Sequence, residues 1–409
     1  MRIQDQETGI NLHLTAPAVR SDPYPHYAKL RGAAPLLRCK HPFIGKAWAV
    51  TRYEDVAAIL KDAERFRSNP RTSTGRPGPF EGRLAPKLLR AFARSLVFVD
   101  DIDHRRLRSL VTKAFTPARV NELHRRIEKT VDDLLDEAER KGTFDLMSGL
   151  ALPLPLRIIS ELLGVRKAEE EYFHHIAQGA LNVKSAWTFI IRLPMYRNLY
   201  RFFDALLQRK RADPGDDLTS ALIAAEQEGD RLSTEELMGM VFLLLFAGHE
   251  TTVNLVGNGA YALLEHPEQL ERLREDPSLI PTAIEEILRY YSPAHMAGAR
   301  YLAEETEVCG VRLPRGTSLI PMLAAANRDE TVFREPNTFD VTRDPNRHVA
   351  FGVGRHFCIG AHLTRLEGSI AFPRLLERFP RLRFANEPPP WHMESSMLRG
   401  LQVFPVSVN

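Results

Sequence analysis

The stretch "HVAFGVGRHFCIGAHLTRLE", His348 to Glu367, places a single cysteine among three glycines and runs directly into an amphipathic segment. Gly352, Gly354 and Gly360 can take backbone conformations closed to other residues, so the chain can turn sharply and direct amide hydrogens at a sulfur. The residues after Cys358, "IGAHLTRLEGSIAFPRLLERF", are apolar at Leu363, Leu366 and Ile370, which puts the cysteine at or near a helix N-terminus. There the helix dipole and unpaired amides favour negative charge and lower the thiol pKa, so a thiolate is expected. The competing reading, a small buried hydrophobe, requires no loop of this kind. A thiolate is either a nucleophile or a metal ligand. For the first, His356 is a candidate base, with no carboxylate partner near it in sequence.

Composition limits the choices. The 409-residue chain is 44% hydrophobic and 26% charged, an ordinary globular composition large enough to bury a substantial core. The opening residues lack an apolar segment behind a basic start, and no run reaches the ~20 apolar residues of a membrane span, so a cytoplasmic location without membrane attachment is expected. Three widely spaced cysteines, Cys39, Cys309 and Cys358, make neither a disulfide framework nor a C-x-x-C zinc site. A net charge of +3 is too small to argue for nucleic acid, although a local basic face can attract an acidic protein.

Helical periodicity dominates the first two thirds, as in "YEDVAAIL", "PARVNELHRRIEKTVDDLLDEAERKG" and "DDLTSALIAAEQEGD". Short β-like pieces such as "TEVCGVRLPRGTSLIPML" and "GLQVFPVSV" follow residue 296. "STGRPGPFEG" (Ser73 to Gly82) and "ADPGDD" (Ala212 to Asp217) are too short for linkers and read as loops. With no internal repeat, the expectation is one domain over residues 1–409, mainly α with a minor β region.

The longest helical pattern is "STEELMGMVFLLLFAGHETTVNLVGNGAYALLEH", Ser233 to His266. Ser233 and Glu236 fit a capping box, and Pro267 stops the pattern, which predicts one long helix through the core. At its centre "AGHETT" sets Glu250, Thr251 and Thr252 in apolar surroundings, costly unless they are paired or used. Ala247 and Gly248 lie one turn before Thr251 and open space for something flat or small. A threonine there can also bond back to a carbonyl and bend the helix. A zinc-protease H-E-x-x-H is excluded because Val253 stands where the second histidine belongs. Glu286 and Arg289, three apart, form an ordinary helix-face pair by spacing alone. His104 and Arg108, four apart in "DIDHRRLRSLVTKAFTP", share a basic helix face that meets solvent unless a buried anion needs it. One cysteine cannot hold zinc or an iron–sulfur cluster unaided, but one thiolate suffices for a haem iron.

Taken together these stretches resemble the cytochrome P450 family, the haem-thiolate monooxygenases, in its soluble bacterial form. The resemblance runs from "DPYPHYAKLR" (Asp22 to Arg31) to "GLQVFPVSV". "FGVGRHFCIG", Phe351 to Gly360, fits F-G-x-G-x-[HR]-x-C-x-G at every fixed position, and "AGHETT" and Glu286-Ile287-Leu288-Arg289 fall in the family's order. The resemblance implies a single mainly α domain with haem b (iron protoporphyrin IX) between the long helix and the cysteine loop, Cys358 being the axial ligand. His104, Arg108, Arg300 and His356 would bind the propionates, while Ala247, Phe351 and Gly360 would line the haem. Glu286, Arg289 and Arg343 would brace the thiolate loop, and Glu250 and Thr251 would handle protons for oxygen activation.

The resemblance also implies O2 and two electrons as co-reactants. With no G-x-G-x-x-G and too few cysteines for an iron–sulfur site, electrons would come from an external ferredoxin or flavodoxin and its reductase. That partner would dock at basic residues such as Arg105, Arg106, Lys113 and Arg355, and the chain would be a monomer. The substrate would be a hydrophobic small molecule, such as a polyketide or macrolide, terpenoid or fatty acid, hydroxylated or epoxidised. The pocket would be lined by Phe242, Ala294, His295, Met296, Met397 and Leu398. Arg71, Arg76, Arg83, Lys87, Arg90 and Arg94 would either receive a substrate carboxylate or form a solvated loop. A haem-thiolate sensor and a peroxide-driven peroxygenase are the alternatives, and neither needs Glu250 and Thr251 in a buried helix.

Overall fold

Short-range signals account for the elements that carry the cysteine stretch. The computed structural model describes the chain except residues 43, 79, 83–84, 115–121, 141–142, 182–185, 228–231, 392–396 and 409, and the side chains of 114, 177–190 and 225–227. Two compact units emerge, residues 1–67, 124–154 and 251–409 in the first, 68–123 and 155–250 in the second.

The first unit holds a seven-stranded sheet. Its strands lie side by side in the order Ile10–His13, Arg2–Asp5, Leu36–His41, Gly45–Val50, Ser318–Pro321, Arg300–Leu302 and Phe66–Arg67. Gly45–Val50 and Ser318–Pro321 pair in parallel, and the remaining neighbours are antiparallel. The β-like texture after residue 296 therefore becomes two strands of this sheet, Arg300–Leu302 and Ser318–Pro321, with the hairpin of Thr306–Val308 and Val311–Leu313 between them in sequence. Its turn is Cys309-Gly310, both left-handed at φ 51° and 79°, as a two-residue hairpin turn requires. Cys309 thus has a backbone task, and burial with the neighbouring Asp55 carboxylate pushes its thiol up to about 12. Cys39 is likewise buried and pushed up to about 12 by desolvation.

Leu36, Val50, Val56, Leu60, Leu319 and Val349 belong to one apolar cluster between this sheet and the helix Tyr53–Lys61. Val349 opens the cysteine stretch, so that stretch is anchored in the sheet's own core. The helix Ile280–Tyr290 starts at Pro281 and buries Ile284, Ile287 and Leu288, the helical i, i+3, i+4 pattern, and it packs on the helix Ala361–Arg378.

In the second unit, the helices Glu170–Leu181 and Ala186–Ala212 pack together, with Phe173 stacked on Phe202 at 5.1 Å. The stretch 73–82, expected as loop throughout, begins inside the short helix Pro70–Thr74, which Asn69 caps by accepting from the Arg71 amide.

The long helix spans Thr234–Glu265. Its capping box forms as the spacing predicts: Ser233 N–H donates to Glu236 Oε2 at 2.7 Å and Glu236 N–H to Ser233 Oγ at 3.2 Å. Contrary to the expectation that no run reaches membrane-spanning length, this helix does so by length and composition. However, 72% of its apolar window is buried inside the protein, which makes it a core helix.

Candidate active site

Cys358 stands two residues before Gly360, the N-cap of helix Ala361–Arg378. Backbone bonds close the loop on itself: Cys358 N–H donates to Phe351 O at 3.0 Å, Phe357 N–H to Gly354 O at 3.1 Å and Gly352 N–H to Val349 O at 2.8 Å. Gly352 and Gly354 are left-handed, at φ 65° and 75°. Gly354 has a second reason to be glycine, since a Cβ there would lie 2.6 Å from the Leu60 carbonyl oxygen and 2.8 Å from Lys61 Cα. Gly354→Ala therefore combines a left-handed alanine with overpacking against a helix backbone, and a loss of about 2–4 kcal/mol is expected. Urea unfolding of the purified variant measures it, and an unchanged midpoint would mean that the loop yields freely.

The surroundings of the half-buried Cys358 suit a thiolate. Arg365 lies on the following helix with its guanidinium 4.6 Å from the Phe351 ring centre. Its pKa is raised, chiefly by the Glu285 hydrogen bond and in smaller part by the charge of Cys358. Among the described residues no group of three His, Cys, Asp or Glu side chains could hold a bare metal ion. One thiol at a helix N-terminus, flanked by two phenylalanines and a cation, therefore fits a haem and not a protein-only metal site.

Two adjacent carboxylates fasten the chain around this loop. Glu286 and Arg289 are both fully buried and meet in two parallel bonds of 2.7 and 2.8 Å. Arg343 Nε and Asn346 Nδ2 also donate to Glu286 Oε2, at 3.1 and 3.0 Å, and Asp340 N–H to Oε1 at 2.9 Å. Arg289 in turn donates to the carbonyls of Asn327, Pro336 and Thr338. The neighbouring Glu285 accepts from Arg365 at 2.6 and 2.8 Å and bonds His348 Nε2 at 3.0 Å, joining both ends of the stretch 348–367. Burial raises the Glu285 carboxyl, and the hydrogen bonds from Arg365 and His348 more than reverse this, to about 2. Sequence reasoning did not assign Glu285, His348 or Arg365. The only signal was that two of them lie inside the quoted stretch.

Along the central helix the polar cluster separates by face. His249 is buried, its imidazole pushed down to about 4 by desolvation and by nearby His174, which Ser160 hydrogen-bonds at 3.0 Å. Thr252 is buried beside Glu367, whose carboxyl is pushed up to about 8 by desolvation, with Thr252 pulling partly the other way. By contrast Ala247 is exposed, and Glu250 and Thr251 are half-buried. An exposed alanine one turn from a half-exposed threonine, in a helix otherwise buried at its centre, leaves room for a flat group.

His104 is buried and Arg108 half-buried, one turn apart on the helix Asp101–Ala114. Arg300 is buried on its strand and donates to the Gly298 and Ala299 carbonyls at 3.0 and 3.2 Å. His356 is half-buried in the short turn Gly354–His356.

Several expected positions differ. Arg106, named for partner docking, is bound by Glu236 and Asp103, so its charge is spent within its own unit. His295, named for the pocket, is fully buried with Nδ1 bonded to the Tyr27 hydroxyl at 2.8 Å; desolvation drives its pKa well down, and it is a neutral core residue. Phe242, also named there, is buried in an aromatic cluster, 5.1 Å from Phe92 and 6.2 Å from Phe246. Met296 is buried, and Met397 is 40% exposed. Ala294 bridges to Leu398, and His295 N–H donates to Met397 O at 2.7 Å, so the two segments expected at the pocket are paired. Arg71 and Arg94 are met by Glu81 and Glu235, and Lys87 sits over the Tyr200 ring. Arg83 lies outside the described residues.

Residues 47–401 match the family described as Cytochrome P450. The chain is 43% identical over 404 residues to cytochrome P450 107B1 of Saccharopolyspora erythraea, covering 95% of this chain and 96% of the relative. It is 39% identical over 407 residues to 6-deoxyerythronolide B hydroxylase of the same organism, covering 97% and 99%. The solved structure of PksS, the cytochrome P450 of the bacillaene polyketide synthase of Bacillus subtilis 168, superposes with a TM-score of 0.89 at 37% identity, covering 97% of this chain and 100% of that one. Likeness over almost the full length of each relative, around a cysteine loop that fits a thiolate-bound haem, leads to one conclusion: the chain belongs to the cytochrome P450 family, and it is a haem-thiolate monooxygenase.

Proposed function

We propose that Cys358 is the axial thiolate, that His104, Arg108, Arg300 and His356 pair with the haem propionates, and that Glu250 and Thr251 deliver protons. The observation that carries this reading is the division of "HETT", in which the core absorbs His249 and Thr252 while Glu250 and Thr251 stay half-exposed on either side of Ala247's stripe. Haem, when bound, supplies the iron at which O2 is activated and one oxygen atom is transferred to a C–H bond or alkene. The Thr251 hydroxyl holds a water on the side of the helix where that oxygen is handled, and Glu250 exchanges protons between that water and solvent. Keeping this water ordered favours product over release of peroxide. Ala247 and Gly360 keep the approach free of bulk, and Phe351 limits solvation of the sulfur.

The substrate in this reading is a hydrophobic small molecule, and likeness to PksS favours a polyketide over a terpenoid or fatty acid. Electrons come from an acidic ferredoxin or flavodoxin, drawn by basic residues that remain exposed, Arg105 and Lys113 among them.

Thr251→Ala tests the proton assignment. Substrate binding and electron flow should persist, while product falls on the order of 10²-fold and peroxide rises. The measurement follows reduced nicotinamide consumed, product formed and peroxide released with a surrogate reductase, using a ligand that shifts the haem to high spin. Unchanged coupling of electrons to product would show that protons reach the site by another route.

A further inference from the structure

The central helix ends beside a cleft that this reaction does not use. Glu265, on its rim, lies fourteen residues beyond Thr251, about 21 Å along the helix axis at the usual rise. The cleft has a volume of about 510 Å³, within the range of small-molecule sites, and lies wholly in the first unit.

Its wall is aromatic. The Trp391 ring centre is 4.6 Å from that of Tyr291 and 4.6 Å from that of Tyr261. Two guanidinium groups share this wall, Arg399 at 3.8 Å over Trp391 and Arg328 at 4.0 Å over Tyr24. Both arginines are buried, 2% and 3% exposed. Buried Arg289 is neutralised by Glu286, but Arg328 and Arg399 meet no carboxylate among the described residues. Arg328 donates to the Tyr290 carbonyl and Asn337 Oδ1, and Arg399 to the carbonyls of Arg20 and Ser21. Among the described residues, Arg399 Nη1 and the Tyr24 hydroxyl are buried without a hydrogen-bond partner, and both residues line the cleft.

The acids that the described residues bring to the cleft do not cancel these charges. Asp22 and Glu265 are exposed at the rim and already engaged, Asp22 by the Tyr24 amide at 3.2 Å and Glu265 by the Tyr291 hydroxyl at 2.5 Å. A solvated carboxylate is screened, whereas a buried cation and an unsatisfied buried N–H each carry a standing cost that an anion would remove. We propose that this cleft binds a small aromatic carboxylate, its ring against Trp391 and Tyr291 and its carboxylate accepting from Arg399 and Tyr24. The site is independent of the haem-side assignments.

The test is calorimetric titration of the haem-loaded enzyme with naphthoate, the haem side being blocked by saturating imidazole. One molecule should bind per chain with no change in the Soret spectrum, and naphthamide, which lacks the charge, should bind about tenfold or more weakly. Arg399→Gln should weaken naphthoate by a similar factor. Absence of saturable binding up to about 10 mM would overturn the proposal. So would equal affinity for the amide, unchanged affinity in Arg399→Gln, or binding that imidazole abolishes. The comparison of acid with amide uses the native chain, so it decides the matter even where the variant does not fold.

Discussion

Glu286→Gln should destabilise the protein by about 3–5 kcal/mol, because it leaves two arginines facing a neutral amide in a place from which water is excluded. Arg289 is fully buried and the Arg343 side chain is 12% exposed, and Glu286 is the only carboxylate within ion-pair distance of either among the described residues. The amide also keeps only one acceptor oxygen, so either the Asp340 N–H bond to Oε1 or the Asn346 Nδ2 bond to Oε2 fails along with the ion pair. The damage should reach the haem. The segment that Glu286 and Arg289 hold leads directly to Val349, whose amide donates to Asn327 Oδ1 at 2.8 Å, and so into the cysteine loop. Urea unfolding and the haem content of the purified variant are the two measurements. A loss under about 1 kcal/mol would mean that the buried charges are relieved in another way.

Much of the framework was legible because it rests on local signals. Ser233, Glu236 and Pro267 mark the ends of the central helix, and glycines mark the cysteine loop, with no knowledge of anything distant. The clamp of Glu285 on His348 and Arg365 was not legible, because its partners lie 63 and 80 residues away and nothing at Glu285 announces them. The division of "HETT" needed the phase of the helix against its core. Periodicity gives a stripe, but only the packing shows that His249 and Thr252 face inward while Glu250 and Thr251 stay half-exposed. His295 and Arg106 carry contacts that their stretches do not announce: each is polar in a stretch that reads as functional, and Tyr27 bonds His295 Nδ1 while Glu236 pairs with Arg106.

Cys358→His should abolish the thiolate signature and turnover together, the largest effect expected anywhere in the chain. The imidazole can still ligate iron, so the variant separates loss of haem from loss of sulfur. Its reduced carbon monoxide complex should lack the strongly red-shifted Soret band of a thiolate ligand. No other thiol can substitute. Cys39 is buried in a strand and Cys309 sits in a hairpin turn, and burial pushes both up to about 12, so neither supplies a thiolate at neutral pH. The loop itself should survive, because its closure depends on Gly352, Gly354 and the backbone bond from residue 358 to Phe351, which histidine retains. Haem content near that of the native protein, with the thiolate band and oxygen transfer both gone, is therefore the expected result. Persistence of the band in Cys358→His would place the ligating sulfur elsewhere, and with it the whole reading of the stretch from His348 to Glu367.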